Sequence, residues 1–479
     1  MKKNYLFIAL AALLLPALLR GLSFYRGFAE RPGFATPDFA ALQAPQAPVN
    51  PPAINPEDIN QYGGVVLFDA THGNQFTMTE VASLTEAITQ RSGRVELHND
   101  PALLEFKLKY ASAFVAISPS ITFTADEIRI IKNFAERGGR LLVFTDATRN
   151  SIYFDLTSGN PIALGDVNAA NPLLVPFGIS INNDYLYSLE KNEGNFRNVV
   201  FDDFAKNELT FGLKEVALYG THSVESPSGL ILLRGTESTL SSANDANDPA
   251  QGGAALSRDG NVSAFGDITF MSSPYNDYAD NASLIANLAD FALSGTQKIT
   301  FDKFPFVFNG KTAQVYLAPE IRKTAEIVSA LGKLQASLKF MNIGIEYVNE
   351  LPRDGDAIII SSYTPSEELT PLINKFDLTL ENGSEFIEAP GFGKIGIYGN
   401  SVLLLDTTSK GNTLTLLANS LEDAIYLLDS LKSGYLSGCM LQEKIAVCST
   451  GYSSSSYSET GTASGEATPQ PEPTATPGG

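Results

Sequence analysis

Cysteine and histidine are scarce in this chain, and basic residues are outnumbered. With two cysteines in 479 residues, a disulfide-dense scaffold is excluded. The three histidines, His72, His98 and His222, lie too far apart in sequence to form a zinc signature, which also wants four ligands. Lys and Arg number 33 against 53 Asp and Glu, a formal net charge of -20 at pH 7. That sign repels nucleic-acid phosphates and anionic lipid head groups, so no nucleic-acid partner is expected; cations, basic partners or plain solubility are favoured. Long apolar runs are absent after the first 25 residues, so the chain has no set of permease helices.

What is present begins at the N-terminus. Met1, Lys2 and Lys3 precede the apolar run Tyr5 to Leu19, which Arg20 closes. About 15 apolar residues after a basic start match an export signal, while extension through Gly21 to Tyr25 reaches spanning length if Arg20 snorkels. No good small-x-small cleavage site follows the apolar core: Gly27-Phe28-Ala29 fits the pattern but lies far downstream behind Arg20 and Arg26, which favours a retained anchor over a cleaved signal peptide. The flanking charges barely decide orientation, because Lys2 and Lys3 are opposed by Arg20, Arg26 and Arg31.

The two cysteines bear on the side of the membrane. Cys439 and Cys448 flank a short segment and read either as a hairpin disulfide in an oxidising compartment or as two buried free thiols. Pro45, Pro48, Pro51 and Pro52, with alanine and glutamine between, mark an extended spacer. The tail from Ser453 to Gly479 is Ser/Thr/Pro-rich and lacks apolar residues to bury, the composition of a disordered stalk. The chain therefore divides into an anchor or signal peptide (1–26), a spacer (27–61), a first α/β domain (62–298), a second α/β domain with the cysteine hairpin (299–452) and a tail (453–479). At 44% hydrophobic residues there is ample material for both cores.

In the first domain, the short apolar run Val65-Val66-Leu67-Phe68 has the pattern of a strand buried on both faces and ends at Asp69. Val81, Leu84 and Ile88 mark a helix stopped at Gly93, Val95 to Leu97 and Phe114 to Ile117 are further strands, and Thr124-x-x-Glu127 is a capping box before Ile128, Ile131 and Phe134. Gly138-Gly139 ends that helix, and Leu141 to Phe144 is a fourth strand leading to Asp146. Alternation of strand and helix predicts a parallel, doubly wound sheet.

These residues resemble a known family. Val65-Leu67-Phe68-Asp69-x-x-His72-Gly73-Asn74, Ser118-Pro119, Gly138-Gly139-Arg140-Leu141-Leu142-Val143-Phe144-x-Asp146, and Gly266-Asp267-Ile268-Thr269-Phe270 with Asn281, Asn287 and Leu288 look like prokaryotic domains of unknown function with a class I glutamine amidotransferase-like fold. Asn207 to Leu213 is similar to the start of a peripheral strand in that family. The resemblance covers roughly residues 62 to 295 and extends to auxiliary proteins of gliding-motility-type ABC transporters. It implies a flavodoxin-like domain with no assigned chemistry.

Amidotransfer needs a thiolate at a sharp strand-to-helix turn, activated by a histidine. The corresponding turn here reads Ser118-Pro119-Ser120, both cysteines lie in the other domain, and Gly-x-Ser-x-Gly is missing, so glutamine hydrolysis is not expected. Asp69, His72, Ser118, Asp146, Thr148 and Asp267 all stand at strand C-terminal ends, where open α/β sheets bind ligands. The favoured reading is that the aspartates cap their own loops and helices. The alternative is a carboxylate cluster for a divalent cation serving a metal-assisted hydrolase.

The second domain reads as strand Val315 to Leu317, a long helix from Pro319-Glu320 carrying Ile321, Ala325, Val328, Leu331 and Leu338, strands Ile343 to Val348 and Ala357 to Ile360, and a helix from Pro365 to Phe376. A hairpin of Ile395 to Tyr398 with Val402 to Leu405 is expected around Gly399-Asn400, then a strand at Leu414 to Leu417 and a helix on Leu421, Ala424, Ile425 and Leu428. It holds no nucleophile, phosphate loop or metal spacing. The expectation is a single-pass cell-membrane protein with extracytoplasmic α/β domains, not an enzyme and without a resident cofactor, that binds a protein partner in the envelope.

Overall fold

Continuous apolar runs become strands covered on both faces. In the computed structural model, which describes residues 2–25, 60–154, 157, 161–310, 312–339, 342–380, 383–432, 436 and 438–450, β1 (Val65–Asp69) buries Val66, Leu67 and Phe68 completely. It pairs in parallel with β2 (Arg94–His98) on one side and β3 (Ala113–Ile117) on the other, and β4 (Arg140–Phe144) lies beyond β3. The crossovers are α2 (Ala82–Gln90), α3 (Leu104–Leu108) and α4 (Ala125–Glu136). Because strand side chains alternate faces, Val66 and Phe68 enter one core with Leu84 and Ile88 of α2, while Leu67 enters the other with Leu104, Ile131 and Phe134.

The capping box forms as the sequence predicts: Thr124 accepts from the Glu127 N–H, and the Glu127 carboxylate accepts from the Thr124 N–H at 2.8 Å. At the other end of α4 the Phe134 ring lies where a Cβ on Gly139 would sit, 2.3 Å from the nearest ring atom, so only glycine lets the chain leave the helix there.

The sheet continues through β5 (Leu230–Arg234), β6 (Gln251–Leu256) and β7 (Val262–Phe265). Among the described residues it is ten-stranded, with main path Asp203–Phe204, β5, β6, β7, β4, β3, β1, β2. From β2 to β7 neighbouring strands are parallel, and β6 and β5 are added antiparallel. The order 2-1-3-4 is flavodoxin-like, with the winding reversing between β1 and β3. Helices α5 (Val167–Leu174) and α6 (Asn281–Leu293) complete the two covering layers. Asn207 to Leu213 forms no strand: Asn207 caps a 3-10 turn at Glu208–Thr210, because its side chain accepts from the Leu209 N–H at 3.0 Å.

A second sheet repeats the winding. β8 (Thr312–Leu317), β9 (Gly344–Val348) and β10 (Asp356–Ser362) are parallel, with α7 (Ala325–Lys339) between β8 and β9. The α7 helix starts later than expected, leaving Ile321 buried in the preceding turn and Val328 exposed. The helix expected over Pro365 to Phe376 shrinks to α8 (Thr370–Asn374), following a turn closed by the Leu369 N–H on the Ser366 carbonyl.

The expected hairpin around Gly399-Asn400 does not form. β11 (Phe386–Ala389) pairs with β12 (Gly393–Gly396) in a small three-stranded sheet, whereas β13 (Asn400–Thr408) pairs with β14 (Gly411–Ala418) around Ser409 and Lys410. Val402, Leu403, Leu404 and Leu405 are wholly buried, and the longer β13–β14 ladder covers them where a four-residue partner would not. After α9 (Leu421–Lys432), β15 (Cys439–Leu441) and β16 (Ile445–Ser449) close the sheet in the order β9, β8, β10, β14, β13, β16, β15. Cys439 and Cys448 face each other across β15 and β16 and are joined by a disulfide.

At the N-terminus, α1 (Lys2–Tyr25) runs through Arg20 without a break, and its stretch Asn4–Phe24 is long and apolar enough to cross a membrane. The spacer before Asn60 and the tail after Thr450 lie outside the described residues.

Candidate functional site

The carboxyl ends of β1, β2, β3, β4 and β7 bring six buried polar residues to one edge of the first sheet: Asp69, His98, Ser118, Thr145, Asp146 and Asp267. They divide into two groups. Asp69 Oδ1 accepts from the Thr71 N–H at 3.1 Å and the Thr71 hydroxyl at 2.7 Å, and Asp69 Oδ2 lies 2.9 Å from His72 Nδ1. On the far side of the imidazole, Nε2 is 3.5 Å from Glu127 Oε2, and the ring stacks on Phe123 with centroids 3.7 Å apart. Gly73, at φ +59°, makes the turn that delivers His72; a Cβ there would meet the Ser120 hydroxyl at 2.4 Å.

Both carboxylates act on the ring. Burial alone lowers the pKa of His72, but the hydrogen bond and charge of Asp69, with Glu127 adding to them, more than offset it and raise the pKa above the usual histidine value. Burial likewise opposes ionisation of Asp69, yet His72 and Thr71 hold its carboxyl below the usual range. His98, paired in register with Asp69, is buried with neither ring nitrogen hydrogen-bonded among the described residues, and burial pushes its pKa down.

The second group centres on Asp146. Its Oδ1 accepts from the Thr148 N–H at 2.8 Å and from the Thr148 hydroxyl, and its Oδ2 accepts from the Thr269 hydroxyl at 3.0 Å and Arg149 Nε at 3.3 Å. Asp267 accepts three backbone N–H groups, from Tyr219 and Thr269 at 2.8 Å and Phe270 at 3.3 Å. Burial, with the Asp146 charge beside it, nevertheless pushes the Asp267 carboxyl above the usual carboxylate range. Thr269 thus links Asp146 to Asp267, while Asp69 shares no donor with either. Among the described residues no group of three or more His, Cys, Asp or Glu is placed to hold a metal ion.

Ser118 stands between the groups, at φ +38° directly after β3. Its N–H donates to the Phe144 carbonyl at 2.8 Å and its carbonyl accepts from the Gln75 N–H at 3.0 Å, so the end of β4 and the loop after β1 pin its backbone. Its hydroxyl is fully buried and has no hydrogen-bond partner among the described residues.

Residues not singled out from the sequence complete the edge. Arg149 spans from Asp146 to Glu80, which it meets at 2.7 Å; its place three residues after Asp146 was the available signal. Glu127 was legible as a cap, but its approach to His72 depends on how α4 packs. Asp166 Oδ2 accepts from the Asp146 N–H at 2.8 Å, and Asp166 Oδ1 lies 3.5 Å from His222 Nε2, whose Nδ1 donates to the Asp184 carbonyl at 2.6 Å. Nothing local in the sequence ties those three together.

The fold and this edge define an α/β protein with a flavodoxin-like parallel sheet and a second α/β sheet domain. No family model and no curated protein matches the chain. Among solved structures it is similar to the mmIFT52 N-terminal domain (18% identity, TM-score 0.38, covering 48% of this chain and 98% of that one). It is also similar to a putative ThuA-like protein from Bacteroides uniformis (12%, TM-score 0.30, 50% and 94%) and to PurLQS from Thermotoga maritima (8%, TM-score 0.28, 48% and 98%). The fold assignment rests on the strand order, not on these distant likenesses.

Proposed function

We propose that the chain is a membrane-tethered, extracytoplasmic binding or scaffold protein whose amidotransferase-like domain carries out no chemistry, and that it serves an ABC transporter or another envelope complex as an accessory subunit. The observation that carries the non-catalytic reading is the Ser118 hydroxyl, which occupies the nucleophile's turn yet is buried and unbonded. A nucleophile needs a base within hydrogen-bond reach. His72 directs its ring nitrogens at Asp69 and Glu127 instead. The tether is supported by α1 and the compartment by the Cys439–Cys448 disulfide, since such bonds persist in oxidising surroundings.

The test is to incubate the full chain, in detergent, with glutamine and with an activated ester, and to measure ammonia and alcohol release. Release at the uncatalysed rate is expected, and Ser118→Ala should leave it there; turnover that Ser118→Ala abolishes would make the domain an enzyme. Calcium and magnesium should barely move the melting temperature. A metal-dependent rise lost in Asp146→Asn or Asp267→Asn would instead favour the metal-assisted hydrolase.

A further inference from the structure

A cavity of about 240 Å3 opens at the carboxyl ends of β10 and β14, beneath the small sheet that contains β11 and β12. Two kinds of surface meet in it. Phe386 of β11 and Tyr398, just beyond β12, stand 53% and 56% exposed, although large apolar rings gain by being covered. Against them are hydroxyl, amide and carboxylate groups: Ser362 and Thr364, whose hydroxyls are hydrogen-bonded to each other at 3.0 Å and so leave one further donor or acceptor each, Asn419, and Glu385. The wall behind is stiff, because the Tyr363 hydroxyl donates to the Asn400 carbonyl at 2.9 Å and so ties the β10 loop to β13.

The chemistry of the lining narrows the occupant. Among the described residues no lysine, arginine or histidine lines the cavity, and Glu385 contributes a negative charge, so phosphates and carboxylates are repelled. The volume falls below the roughly 300 Å3 at which sites for drug-sized ligands begin, so one ring fits and an extended chain does not. Closely spaced donors and acceptors, with aromatic faces beside them, match a ring that has hydroxyls at its edge and C–H groups on its face. The geometry points to a binding site for one neutral sugar ring. Such a site goes beyond the reading of the first domain and stands or falls independently of it.

Saturation-transfer NMR on the full chain in detergent tests this, with glucose, galactose, mannose, N-acetylglucosamine and their methyl glycosides as probes. At least one sugar is expected to receive saturation. Retention by the methyl glycoside would mark the end of a glycan as the ligand, and loss on methylation a free sugar; both uphold the site. Tyr398→Ala and Phe386→Ala remove exposed rings and should each weaken binding about tenfold, the scale of one lost aromatic contact. Phe211→Ala, which removes an exposed ring from the first domain, should leave the signal unchanged. No transfer to any probe, or transfer that survives both Tyr398→Ala and Phe386→Ala, would overturn the proposal.

Discussion

Ser118 concentrates two unfavourable features in one residue. A non-glycine at φ +38° costs about 1–3 kcal/mol, and its buried hydroxyl finds no partner. Glycine relieves both, at about 0.5–1 kcal/mol of added chain entropy in the unfolded state. Ser118→Gly is therefore expected to stabilise the protein by about 1 kcal/mol, read as a rise in urea midpoint; a fall would show that the hydroxyl makes a favourable contact. His72 behaves in the opposite sense. Its raised pKa means that the stability it contributes is fully present below the unfolded value of 6.5 and is lost as pH rises through the folded value. At the acid end the contribution persists until pH falls through the lowered pKa of Asp69. The urea midpoint of the native chain should thus exceed that of His72→Gln near pH 5–6, by a margin that shrinks at higher pH; a margin independent of pH would mean that the ring stays neutral.

At the scale of elements, Asn281 ties the start of α6 to a separate two-stranded sheet formed by Asn198–Phe201 and Val216–Tyr219. Asn281 is completely buried, accepts from the Ala217 N–H at 3.0 Å, and donates to the carbonyls of Ala217 and Tyr275 at 3.0 and 2.9 Å. Asn281→Ala leaves the two Ala217 backbone groups unpaired in a buried setting, which at about 1–3 kcal/mol for each unsatisfied group predicts a loss of roughly 3 kcal/mol. Denaturant unfolding measures it; a cost below 1 kcal/mol would mean that water enters and replaces the amide. The residue was legible through the family resemblance, but its bonding was not, because Ala217 lies 64 residues away. Strand pairing in the second domain shows the same divide. The apolar runs at Ile395 and Val402 are both strands, yet β12 joins β11, while β13 lies inside the larger sheet between β14 and β16, where Val402 to Leu405 are wholly buried.

At the scale of the whole molecule, the disulfide and α1 report on where the chain resides. Closing so short a loop is worth roughly 2.5 kcal/mol on the chain-entropy model. Cys439→Ser with Cys448→Ser should lower stability by about that amount, and non-reducing mass spectrometry of native protein should find the pair joined; two alkylatable thiols without prior reduction would remove the argument for export. With α1 as an N-in anchor, protease added to intact cells should release the folded part and leave a membrane fragment, whereas full protection would place it in the cytoplasm.

Sequence by itself determined the features that depend on neighbours along the chain: the apolar segment of α1, the buried strands β1, β3, β4 and β10, the capping box of α4, and the short loop between the cysteines. Each follows from period, spacing or composition within a few residues. Only the tertiary structure decided that Asp69 pairs with His72 and Glu127 while Asp146 joins Asp267 through Thr269, that Asp166 and His222 lie behind them, and that β13 turns to β14. Those outcomes depend on which strand ends the winding of the sheet brings side by side, and on which apolar strands take interior places in a sheet, away from water.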